Sequence, residues 1–156
     1  MDFEDSPEEI ALRSEARAWL EANAAPFDRA SLATTRTYRA HTEEDDAAML
    51  AEARKWAQVK TDARWAAPHW PEEYGGRGLS SMLAGVFAAE EANFDVNGRM
   101  FTVGTDMVGP TIIEWGDGPQ RDRWLPPILS GTDVWCQLFS EPGAGSDLAG
   151  LATRAV

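Results

Sequence analysis

Apolar residues recur at helical spacing through most of the chain and give way near its end to a strand-like run. Ile10, Leu12, Ala16, Trp19 and Leu20 make an imperfect apolar face with the period of a surface helix. Ser6-Pro7-Glu8-Glu9 supplies its start. Ser6 can cap, Pro7 suits the first helical position, and Glu9 completes a capping box. Pro26 stops the pattern. The stretch from Phe27 to His41 is polar, with only Leu32 and Tyr38 as bulky apolar anchors, and reads as a connector. Thr42-Glu43-Glu44-Asp45 opens a second helix, its carboxylates placed where the helix dipole favours negative charge. Met49, Leu50, Ala53, Trp56 and Ala57 recur along it at helical spacing, and its charges read as a solvated face.

From Arg64 to Gly78 the chain carries prolines, glycines and large aromatics together, the composition of an ordered irregular loop. Leu79-Ser80-Ser81 caps a third helix, which Phe94-Asp95 ends. Met82, Leu83, Val86, Phe87 and Glu90 share one face, and Ala84, Ala88 and Ala89 permit close helix packing. Glu90 and Glu91 invite a general-base reading, but nothing beside them in sequence would raise a carboxyl pKa, so a helix rim is expected. Residues 97–115 predict a fourth, apolar helix in which Gly104, Gly109 and Pro110 impose a kink or a late start. Its continuous apolarity fits a deeply buried helix or, alternatively, a wall for an acyl chain. Gly116-Asp117-Gly118 turns, and Pro119 opens a short helix through Leu125 that Pro126-Pro127 closes. Val134 to Ser140 is strand-like, Leu151 to Val156 suits a second strand, and the switch of period near Thr132 predicts a domain boundary.

Composition narrows the classes. With 156 residues, 44% hydrophobic and 26% charged, the chain has the make-up of a globular protein with a sizeable core. No apolar run approaches the ~20 residues of a membrane span, and the acidic Met1-Asp2-Phe3-Glu4-Asp5 lacks the basic region of a signal peptide. A cytoplasmic location is the resulting expectation. The formal net charge of −12 argues against nucleic-acid binding, which requires neutralising phosphates. A pyrophosphate can still be held locally by loops and helix N-termini. The one cysteine, Cys136, rules out an intramolecular disulfide and a Cys-based zinc site, and its strand-like setting predicts a buried packing residue. His41 and His69 lack metal-ligand spacing, and no metal is expected.

The most informative run is Trp135-Cys136-Gln137-Leu138-Phe139-Ser140-Glu141-Pro142-Gly143-Ala144-Gly145-Ser146-Asp147. It begins as an apolar strand and breaks at Glu141-Pro142. The backbone beyond cannot be regular, because Pro142 lacks an N–H and the glycines relax the φ limits. One reading is a tight connection between strands. The other is a ligand loop, offering spare N–H groups and the hydroxyls of Ser140 and Ser146 to phosphate or carbonyl oxygens.

Ser140-Glu141-Pro142-Gly143-Ala144-Gly145-Ser146-Asp147-x-x-Gly150 resembles the flavin-contacting signature of the acyl-CoA dehydrogenases. Pro71-Glu72-Glu73-Tyr74-Gly75-Gly76-Arg77-Gly78 resembles a loop between helices of that family's N-terminal domain. The order Trp115-Gly116, Gln120-Arg121, Leu125-Pro126, Ser130-Gly131 is similar as well. The resemblance spans nearly the whole chain, more faintly at its start. It implies a mainly α fold: a helical-bundle N-terminal domain over residues 1–131, then the first one or two strands of an incomplete β-domain over 132–156.

It also implies FAD as cofactor and an acyl-CoA substrate oxidised to the 2,3-enoyl-CoA. An electron-transfer flavoprotein is the implied acceptor, and a homo- or hetero-oligomer the implied assembly. By position, Gln137, Leu138, Phe139, Ser140, Gly145 and Ser146 would contact the flavin, and Ser146 the CoA substrate also. A positioned O–H donor beside reduced flavin stabilises its added electron density without reorganisation. Ser140 stands where threonine is also common, and Leu138-Phe139 are bulkier than the pair often found there. The family's catalytic glutamate and C-terminal helical domain would fall beyond Val156, so no catalytic residue is expected within this chain, which is expected to be inactive alone. An acyl-CoA oxidase, a flavin monooxygenase relative and a non-catalytic helical interaction subunit are the alternatives.

Overall fold

The computed structural model describes residues 5–28 and 42–154. Among the described residues the α-helices are, in order, α1 (Pro7–Asn23), α2 (Glu43–Asp62), α3 (Ser81–Glu91), α4 (Gly109–Trp115) and α5 (Gly118–Leu129). A π-helical turn, Val103–Val108, leads into α4, and 3-10 turns occupy Glu72–Tyr74 and Leu148–Gly150. The mainly helical architecture is the one the sequence implies. Most of the connector read between Phe27 and His41, with Leu32 and Tyr38, lies outside the described residues.

The helix starts follow from local chemistry. Ser6 accepts from the Glu9 N–H while the Glu9 carboxylate accepts from the Ser6 N–H. Thr42 with Asp45, and Asp117 with Gln120, repeat the reciprocal box at α2 and α5. Each such cap contributes about 1 kcal/mol by satisfying amides that have no partner within the helix.

One core lies among α1, α2 and α3. Leu12, Ala16 and Leu20 of α1 meet Leu83, Val86 and Phe87 of α3, with Trp56 and Trp65 beside them. The Trp65 and Phe87 rings stack at 4.4 Å, and the Arg77 guanidinium sits 3.8 Å over Trp65. Ile10 and Met82, assigned to apolar faces, are exposed. Each sits one step off the stripe of its helix that faces the other helix.

Glu90 and Glu91 are both buried, 3% and 8% exposed, which corrects the expected helix-rim placement. Partners on two other helices draw them in. Arg13 and Arg17 of α1 donate to Glu90 at 2.8 and 2.9 Å. The Trp56 indole N–H (2.6 Å) and the Lys60 ammonium (3.0 Å) of α2 meet Glu91. The pair ties α3 to its two neighbours.

A second core forms around Trp70, Leu125, Ile128 and Leu129, with Tyr74, Val108 and Ile112 packed against it. Helix α5 runs through Pro126 and Pro127 to Leu129, beyond the expected stop at Leu125. The carbonyls deprived of their donors belong to exposed Asp122 and Arg123, where water can replace the lost bonds. The extra turn buries Ile128 and Leu129, which decides the balance. Arg54 and Thr61 of α2 then donate to the Gly131 and Leu129 carbonyls at the end of α5.

The expected fourth helix starts late, as a π turn. The Gly109 N–H bonds to the Gly104 carbonyl, five residues back. In that register the Thr105 carbonyl would look to residue 110, a proline with no N–H to give. The Trp70 indole N–H donates to it instead, at 2.8 Å.

Residues 134–140 form no regular element, and among the described residues only two isolated bridges occur, Pro26 with Phe94 and Glu141 with Ala144. The strand period is present, but a ladder needs a second edge, and the described residues supply none.

Candidate functional site

Every residue assigned to the cofactor from sequence lies on one exposed strip. Gln137, Leu138, Phe139, Ser140, Gly145 and Ser146 are all solvent-exposed, Leu138 at 86% and Phe139 at 64%. Such exposure of large apolar side chains marks a surface that meets something else. Cys136 is exposed too, against the expectation of burial, because only one side of this unpaired segment rests on the helices.

Trp135 anchors the strip. Its ring meets Trp124 of α5 edge-on at 5.7 Å and packs against the second core. Its indole N–H is buried and unpartnered among the described residues. The groove beside it is apolar, lined by Val108, Ile112, Trp115, Trp124 and Trp135.

Beyond Ser140 the loop folds on itself. The Glu141 N–H donates to the Ala144 carbonyl at 2.8 Å, the Ala144 N–H returns the bond at 3.1 Å, and Ala144 is 3% exposed. The Glu141 carboxylate accepts from the amides of Ala152 (2.9 Å) and Thr153 (2.7 Å) and from the Thr153 hydroxyl. Those donors, the Thr153 hydroxyl first, hold the Glu141 carboxyl below the usual carboxylate range. Sequence reasoning had passed over Glu141, whose partners lie 11 and 12 residues downstream.

Ser140 and Ser146 make no hydrogen bond to any described residue, and the space around Gly143 and Gly145 is open. Two available hydroxyls and a backbone in no regular element suit the polar edge of a flavin ring. The exposed Leu138 and Phe139 suit its apolar faces. The residues present therefore fit the cofactor expected here.

A separate cleft of about 510 Å³ opens between α3 and the π turn. Ala84, Gly85, Phe87 and Ala88 make its α3 side, with Thr105 and Pro110 among its other walls. This is the segment read from sequence as a buried helix or an acyl wall. In the structure Phe101 and Thr105 are buried and Thr105, Asp106 and Pro110 border the cleft, but Met107 and Trp115 are exposed and lie outside it, so the segment is less deeply buried than its apolarity predicts.

The family model for the acyl-CoA dehydrogenase N-terminal domain matches residues 6–132. The chain belongs to the acyl-CoA dehydrogenase family. Acyl-CoA dehydrogenase IpdE1 of Mycobacterium tuberculosis is 45% identical over 104 residues, 67% of this chain and 27% of the relative. Two solved structures are similar along nearly the whole chain. The ChsE4-ChsE5 complex from Mycobacterium tuberculosis matches with a TM-score of 0.65 and 30% identity, over 97% of this chain and 35% of that one. The Tcur3481-Tcur3483 steroid ACAD matches with a TM-score of 0.65 and 29% identity, over 99% and 37%. This acyl-CoA dehydrogenase chain spans about a quarter of the length of the curated relatives it matches. Among its described residues no helix is long and apolar enough to cross a membrane.

Proposed function

We propose that this chain forms one side of the cofactor and substrate site of an FAD-dependent acyl-CoA dehydrogenase, which oxidises an acyl-CoA to the 2,3-enoyl-CoA. The observation that carries the reading is the exposed strip, on which Ser140 and Ser146 present hydroxyls with no partner among the described residues. When bound, FAD supplies the hydride acceptor. The Ser140 O–H donates to the polar edge of the ring. The backbone of residues 137–139 would border the ring and help hold it in place, where geometry accounts for much of the rate. Leu138 and Phe139 cover the ring and exclude water. Ser146 reaches both flavin and CoA, and Gly145 lets the backbone approach closely.

The cleft between α3 and the π turn is the candidate wall for the acyl group. The base that removes the α-proton comes from outside this chain. Both carboxylates lining the α3 cleft have other engagements: Glu91 is held by Trp56 and Lys60, and Asp106 accepts from the Thr105 hydroxyl. The relatives solved as two-component assemblies support an oligomer built from this chain and another, with electrons leaving to an electron-transfer flavoprotein.

The test is a flavin absorbance spectrum and a ferrocenium-linked acyl-CoA oxidation assay on the full-length protein. Bound flavin with acceptor-dependent turnover is expected. An apoprotein that takes up no FAD and oxidises no acyl-CoA overturns the reading, and peroxide release in air in place of acceptor reduction makes it an oxidase.

A further inference from the structure

Ser140 and Ser146 stand on either side of a segment that has little reason to hold one shape. Pro142 removes a backbone donor, and Gly143 and Gly145 add conformational freedom with no side chain to pack. None of the three is buried. Two hydroxyls that must meet one rigid ligand cannot be left to such a segment, because misplacement by about 1 Å already costs rate.

The structure closes the loop twice, and both closures run through Glu141. The inner one is the reciprocal backbone pair with Ala144, whose side chain is buried at the loop's centre. The outer one is the carboxylate, with one oxygen on the Ala152 amide and the other on the Thr153 amide and hydroxyl. Between them, the 3-10 turn Leu148–Gly150 is set by bonds from Gly150 to Asp147 and from Leu151 to Leu148. The three donors that hold this carboxylate also lower its affinity for a proton, which suits it poorly to serve as a base.

We infer that Glu141 is a positioning residue, tying the loop to Ala152 and Thr153 so that the Ser140 and Ser146 hydroxyls are held at fixed places for the cofactor. The inference rests on the reading that this strip meets the flavin. The Glu141 carboxylate is turned to Ala152 and Thr153. Its work is done through the backbone it closes, and Thr153 is its counterpart.

The experiment uses the full-length protein and the variants Glu141→Gln, Thr153→Val and Thr153→Ser, with two readouts. The first is amide hydrogen exchange at Ala152 and Thr153 in the flavin-free protein. The second is FAD titration followed by the flavin absorbance bands. Exchange at both amides should quicken at least tenfold in Glu141→Gln. FAD affinity should fall at least tenfold in Glu141→Gln and Thr153→Val, with the bands shifted, while Thr153→Ser restores both. FAD affinity and bands unchanged within twofold in Glu141→Gln overturn the inference. A wild-type protein that takes up no FAD overturns the flavin reading instead. Exchange then decides the tether alone: unchanged protection in Glu141→Gln ends it, and tenfold faster exchange upholds it.

Discussion

The indole of Trp70 fills the place where residue 109 would carry a side chain. A Cβ built on Gly109 would lie 1.9 Å from Trp70 Cζ2. The same indole donates to the Thr105 carbonyl, which the π register and Pro110 leave without a backbone partner. Close approach and donor replacement depend on each other, since the ring reaches Thr105 only by crossing residue 109. The turn so fixed carries Thr105 and Asp106 into the α3 cleft.

Gly109→Ala should therefore destabilise the protein by about 1–3 kcal/mol, the usual range for overpacking a filled site. Trp70→Phe keeps most of the ring but abandons the buried Thr105 carbonyl, at a cost of about 1–3 kcal/mol. Urea unfolding of both variants checks this. A Gly109→Ala protein as stable as wild type would mean that the ring gives way freely.

Lys60 and Glu91 face each other at 3.0 Å, each side chain only 10% exposed. Breaking such a pair from one side leaves an uncompensated charge in a poorly solvated place. Lys60→Met should lower stability by about 3–5 kcal/mol, and Lys60→Met with Glu91→Gln by clearly less. The double-mutant cycle measures the coupling, and additive losses would place the two groups in effective contact with water.

Acid sensitivity follows from Glu90. The Arg17 hydrogen bond, against desolvation and aided by Arg13, lowers its pKa in the folded chain below the ordinary 4.5. A carboxyl with a depressed folded pKa binds its proton more readily when unfolded. Its stabilisation is complete above the unfolded value and is lost as pH falls through the folded one. Glu90→Gln should be less stable than wild type at neutral pH and should lose less stability between pH 6 and about 3. Thermal melts across that range check it, and parallel acid limbs for the two proteins would exclude the assignment.

The helices were legible because their signals are local. Ser6, Pro7 and Glu9, or Thr42 and Asp45, lie within one turn of each other and announce a helix start without outside help. What the sequence hid depends on partners far along the chain. Glu90 and Glu91 look like rim residues until Arg13, Arg17, Trp56 and Lys60 converge on them. Pro126-Pro127 looks like a stop until the burial of Ile128 and Leu129 is weighed against two solvent-facing carbonyls. The π turn needed Trp70, 35 residues upstream of Thr105. The strip was legible as a motif in Ser140 and Ser146. Its strand period promised a ladder that residues 134–140 do not form, and the Glu141 tether was missed because it spans a loop of no regular period.

Trp135 decides how firmly the strip sits on the helices. Its ring packs against Trp124 and the second core, while its indole N–H is buried without a partner among the described residues. An unpartnered buried donor costs about 1–3 kcal/mol, so Trp135→Phe, which discards it and keeps an aromatic ring, should be neutral or slightly stabilising. Trp135→Ala should lose about 3 kcal/mol or more of packing and free the strip. In the full-length protein FAD affinity should then follow the anchor, retained in Trp135→Phe and weakened in Trp135→Ala. If Trp135→Phe instead costs flavin affinity with stability intact, the indole N–H has an acceptor in the bound state, and Trp135 belongs with the ligand contacts.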